Sequence, residues 1–188
     1  MTADRDASVP PGDDAPVQGF AHCHEGIVAR LRELDRLPAL AEAATQARSI
    51  AKATADFYCD VVLVHHAEEE QELFSAVLAS AKVGAERDRV QAIVTRLTQD
   101  HRRIESSWRA IEPAVRDVAR GHDAVLDAQQ MARFVADYLA HARYEEEEFL
   151  PLCSTILGRN GNHMAALGMS LHARHAMPEV LRRFGTHL

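Results

Sequence analysis

Four histidines stand where a helical core would ordinarily carry leucine or valine: His24, His65, His101 and His141. Each falls in the middle of an apolar stripe with a helical repeat. Two are followed four residues on by glutamates, Glu69 and Glu145. Residues four apart share one helix face, a turn from each other. Each such pair can therefore aim an imidazole and a carboxylate at one point. The stretch from His65 to Phe74 (HHAEEEQELF) parallels the stretch from His141 to Leu150 (HARYEEEEFL). His24-Glu-Gly-Ile27 likewise parallels His101-Arg-Arg-Ile104. The separations nearly repeat, 41 residues from His24 to His65 and 40 from His101 to His141. The chain reads as a duplicated helix pair offset by 76 or 77 residues.

Mixed imidazole and carboxylate ligation suits iron, manganese or zinc. Burying such groups without a cation costs several kcal/mol per uncompensated charge, and a pair of metal ions offsets that cost. A lone histidine on an apolar stripe is ordinarily a hydrogen-bonded core residue. Four at matched depth, two of them with a glutamate at i+4, argue for a site instead. Glu68, Glu70, Glu146 and Glu147 read as solvated helix faces, and Glu72 and Glu148 as the rim of the bundle. His22 and His66 adjoin the better candidates but point elsewhere, as surface or supporting residues. His122 reads as a helix-end residue. Tyr58 and Tyr138 read as core aromatics.

The elements that position these residues follow from periodicity and punctuation. Phe20, His24, Ile27, Leu31 and Leu34 form one face of a first helix, with Pro38 closing it or opening the next. A second helix is expected from about Ala44 to Ala81, with Tyr58, Val61, His65 and Leu73 inward. A third runs from about Glu86 to Arg120 with Val94, Leu97, His101, Ile104 and Trp108 on its stripe, and Pro113 is expected to bend or end it early. A fourth spans about Asp123 to Leu150, limited by Pro151, with Phe134, Tyr138, His141, Glu145 and Phe149 inward. The fold class expected is all-α: an antiparallel up-down four-helix bundle with a short additional C-terminal helix. The expected domains are a flexible tail over 1–18, the bundle over 19–157 and a helical extension over 158–188.

The HxxxE-E-x-x-aromatic segments on helices two and four, with a lone HxxI on helices one and three, resemble the hemerythrin-like family, also called the HHE cation-binding domain. The resemblance covers residues 20–152. It implies an oxo- or hydroxo-bridged pair of iron ions in a bundle of a familiar kind, with Zn or Mn as possible substitutes. The ligands implied are His24, His65, Glu69, His101, His141 and Glu145. Oxygen-carrying members have a second histidine four residues after the first on the third helix, where this chain has Glu105. They also use an HxxxxD pair on the fourth helix, where this chain offers Glu145 and Glu146. Whether Glu105, Glu146 or Glu148 also contacts metal stays open on the sequence. The set is closer to domains of the family proposed to sense iron, dioxygen or nitrogen oxides.

The 188 residues suffice for one domain with its own core. Acids outnumber bases 28 to 21, for a net charge of −7, which argues against nucleic-acid binding. No apolar run reaches the ~18 residues that span a bilayer, and no apolar leader opens the chain. Cys23, Cys59 and Cys153 are odd in number and form no CxxC, which argues against a disulfide framework or zinc–thiolate site and for reduced thiols in a cytoplasm. The functional expectation is a non-enzymatic di-iron protein that binds or senses dioxygen, NO or iron, with a homodimer possible through the last segment. The alternatives are a di-iron enzyme acting on peroxide or nitrogen oxides, and a metal-free helical interaction module.

Overall fold

The computed structural model describes residues 15–159, with side chains from His22 onward. Among the described residues there is no strand. Helix α1 is Ala15–Leu34, so it begins inside the stretch expected as tail. Helix α2 covers residues 37–80: Leu37–Phe57, a wide π turn Tyr58–Val62, Leu63–Glu68, a second π turn Glu69–Leu73, and Phe74–Ser80. Helix α3 is Ala85–Arg120. Helix α4 covers residues 128–157: Ala128–Tyr144, a π turn Glu145–Phe149, and Leu150–Leu157. The C-terminal helix expected beyond residue 159, with His163, His172, His175 and His187, lies outside the described residues.

The chain divides into two units between Gln46 and Ala47. In the first, Ile27, Leu31 and Leu34, the apolar face expected of α1, are all half-exposed. In the second, α2, α3 and α4 pack around two apolar clusters. One joins Phe74, Val77, Val90, Leu97, Phe149 and Ile156. The other joins Ala55, Tyr58, Val62, Ile104, Trp108 and Val115, with Phe134 and Tyr138 against it. Along α2 and α4 the chain passes from the second cluster to the first, and along α3 it passes back. The three helices thus run up, down and up. In place of four packed helices, the structure joins three long ones.

Local chemistry explains the links. Gly84 has φ 101° and Gly121 φ 79°, a backbone region that only glycine enters cheaply. At Gly121 its N–H donates to Val118 O and that of His122 to Asp117 O, each at 2.9 Å, which satisfies the last carbonyls of α3. Asp127 opens α4, its Oδ1 accepting from the N–H of Gln129 and Gln130 at 2.9 and 3.0 Å. Neither expected proline stop occurs. Pro113 sits on the exposed side of α3, where the carbonyl that it leaves unpaired can turn to water. Pro151 follows directly on the π turn of α4, and the wider turn gives its ring room where a regular helix would clash.

The π turns also correct the inward stripe. Along α2 one line of buried positions runs through Tyr58, Val62, His66, Glu69, Leu73 and Val77, with Glu68 and Phe74 buried beside it. Four of those five steps are four residues long. A helix of 3.6 residues per turn drifts off its face at that pace, and the wide turns take up the excess. The same occurs on α4 through His141, Glu145, Phe149 and Cys153.

Leu97 is fully buried and Val83, in the α2–α3 link, is 86% exposed. Leu97→Ala should lower unfolding free energy by about 2–5 kcal/mol. Val83→Ala should change it by less than about 0.5 kcal/mol. Urea unfolding followed by circular dichroism reads both.

Candidate metal centre

Between the two apolar clusters lies a polar layer. His66, Glu69, His101, His141 and Glu145 are all buried there, contributed by α2, α3 and α4. The links set the register. Val83 stands midway in sequence between His65 and His101, and Gly121 midway between His101 and His141. Antiparallel helices closing about those turns bring the three levels together.

The imidazoles pack edge and face. The His66 and His101 rings stack at 4.0 Å, within 5° of parallel. His141 meets His101 at 4.8 Å and 70° and His66 at 5.6 Å and 74°. One potential ligand atom from each of these three histidines lies within 4.8 Å of the others. A second such trio, adjoining it, is His65, Glu69 and Glu145. Glu69 spans the two, with Oε1 3.1 Å from His65 Nε2 and Oε2 3.3 Å from His101 Nε2. Glu145 Oε2 lies 3.8 Å from His141 Nε2. A cavity of about 310 Å³ reaches the layer between α2 and α4, walled by His65, Glu69, Glu145, Glu146 and Leu150.

Burial pushes the His66 pKa down to about 3 and that of His141 down to about 4, and the neighbouring His101 charge adds to both shifts. His101 goes the other way. Burial disfavours its charge, but the close Glu69 carboxylate and the hydrogen bond to Glu70 outweigh burial and raise its pKa. Burial and the proximity of Glu69 hold Glu145 well above the carboxylate range. Burial works to raise Glu69 as well, but His101, the proton of Glu145 and His65 keep it below that range. Two carboxylates this close ionise in turn and share one proton.

Direct hydrogen bonding leaves much of the layer unsatisfied. His66 Nδ1 and Nε2, His101 Nε2, His141 Nδ1 and Glu69 Oε2 are buried without a hydrogen-bond partner. Ion-pair distance does not rescue the His101–Glu69 approach, because at 3.3 Å the two atoms are misaligned for a hydrogen bond. Each unmade bond of this kind costs about 1–3 kcal/mol. Convergent nitrogen and oxygen lone pairs are what a borderline cation satisfies, so the donor set fits a metal.

Five of the six residues expected from the sequence come together: His65, Glu69, His101, His141 and Glu145. His24 is exposed on α1, in the other unit. His66, expected at the surface or as a support, is 1% exposed, because the π turns carry it inward. Its signal in the sequence was the four-residue step from Tyr58 through Val62. Glu70, expected on a solvated face, accepts from His101 Nδ1 at 2.8 Å and is clamped by Arg102. That bond keeps the His101 proton on Nδ1 and turns Nε2 inward. Glu105 binds Arg102 and Arg109 at 3.0 and 3.3 Å, while Glu148 pairs with Arg89 at the rim. Glu146 and Glu147 are exposed. Tyr58 stacks on Trp108 at 4.3 Å within the apolar cluster, as expected of a core aromatic.

Fold and site together define a helical protein with a buried histidine–carboxylate cluster suited to cations. A model of the hemerythrin HHE cation-binding domain matches residues 15–153, and the chain belongs to that family. No curated protein and no solved structure matches it significantly.

Carboxylates that hold the outer nitrogen of a ligating imidazole typically contribute about 10–100-fold in metal affinity. Glu70→Ala should weaken cation binding by that factor, and Glu147→Ala should leave it unchanged. Competition titration with a chromophoric chelator measures the difference.

Proposed function

We propose that the protein is a two-cation, iron-preferring centre that binds or senses a small diatomic molecule, dioxygen or NO, without turning over a substrate. The observation that carries this reading is the buried layer of imidazole and carboxylate groups whose inner atoms lack partners. His65, Glu69 and Glu145 would hold one ion, and His101 and His141 would hold the other. Glu69, within reach of both histidine groups, would bridge them. Bound iron would supply a redox-active Lewis acid.

The chain's own groups have defined parts in this reading. Glu145 gives up its proton when a cation arrives, which makes loading pH-dependent and proton-releasing. Glu70 orients His101. The cavity beside Glu69 and Glu145 gives a small molecule a way to the layer. Among the described residues no helix is long and apolar enough to cross a membrane. Cys23, Cys59 and Cys153 are free thiols, which supports a reducing compartment such as the cytoplasm. A second reading, a di-iron enzyme acting on peroxide or nitrogen oxides, draws on the same cavity, since catalysis needs access to the ions.

Elemental analysis of freshly isolated protein should give about two irons per chain. Anaerobic loading with Fe(II) followed by air should develop a ligand-to-metal absorption band that NO alters. A chain that takes up no transition metal under these conditions would refute the proposal. Removal of the metal by a chelator should lower the melting temperature, because a ligand held at 100 times its Kd stabilises by about 2.7 kcal/mol. Turnover of peroxide by the loaded protein would move the assignment to the enzyme.

A further inference from the structure

We infer that His66 supplies a third imidazole, beside those of His101 and His141, to the all-histidine cation site. The inference rests on the two-cation reading above and names a ligand that neither the spacing pattern nor the family resemblance supplies.

Three observations carry it. The first is depth and solitude. His66 is 1% exposed, and neither ring nitrogen has a hydrogen-bond partner. An imidazole buried in this way is costly unless something takes its lone pair. The groups facing it are the rings of His101, His141 and Tyr138 and, 3.7 Å from Nδ1, the carboxylate of Glu105. Glu105 is itself anchored by Arg102 and Arg109. With Nδ1 toward that carboxylate, Nε2 is left for an ion, the same division of labour that Glu70 imposes on His101.

The second is convergence. His66 shares with His101 and His141 the 4.8 Å grouping of ligand atoms. Nitrogens at ~2.1 Å from one ion stand roughly 3 Å apart, so small side-chain rotations close the set. The third is register. The π turn Tyr58–Val62 widens α2 just before the two adjacent histidines, which puts His66 on the buried line of Tyr58 and Val62. His65 lies about 100° round the same regular segment Leu63–Glu68, 3.1 Å from Glu69 in the neighbouring trio.

The test uses the full-length protein loaded anaerobically with Fe(II), with bound iron counted and the Mössbauer spectrum recorded. Wild type should hold two irons in two environments. His66→Ala should lose about one iron and one of the two spectral components, and Glu147→Ala, at an exposed position, should keep both. Full loading and an unchanged spectrum in His66→Ala would overturn the inference while leaving the two-cation reading intact. Wild type without iron would overturn both. His66→Gln, which keeps size and polarity, guards against a folding defect. It should melt normally with chelator present and show the same loss of one iron, and a full complement in that variant would also count against His66.

Discussion

Everything in the second unit is arranged around the burial of imidazole and carboxylate groups between two apolar clusters. Water has been removed from His66, His101, His141, Glu69 and Glu145, yet the protein returns few hydrogen bonds to their inner atoms. An apolar layer of the same volume would pack without that penalty. Donors kept at such a cost, with their outer atoms in part carefully partnered, are a prepared site. The outer partners are specific: Glu70 on His101, with Arg102 behind it.

Helix α2 and helix α4 share a device for this. Each bears a glutamate four residues after a histidine, and each opens a π turn on that glutamate, at Glu69 and at Glu145. The turn keeps the carboxylate facing inward while Leu73 and Phe149, four residues farther on, still reach the apolar cluster. Extra-wide turns are costly in a plain helix and recur where function demands a particular aim. Their repetition at matching places extends the sequence duplication into the backbone.

Electrostatics in the layer are mutual. The carboxylates raise His101, the proximity of His101 adds to the burial that lowers His66 and His141, and Glu69 is itself lowered while it raises Glu145. No member has its ordinary affinity for a proton, because each is set by neighbours from other helices. A cation entering such a layer competes with protons already held there, which couples loading to pH.

The amino-acid sequence by itself determined the helical class, the last three of the four long helices and their approximate limits, and most of the polar layer. Helical spacing is local, so His65 with Glu69 and His141 with Glu145 could be paired on one face without knowledge of the fold. Only the tertiary structure decided the rest. Whether a helix inserts a wide turn depends on what it packs against, and that choice moved His66 from the surface to the centre. Whether a charged residue faces water or a neighbour depends on the other helices, and that choice drew Glu70 to His101.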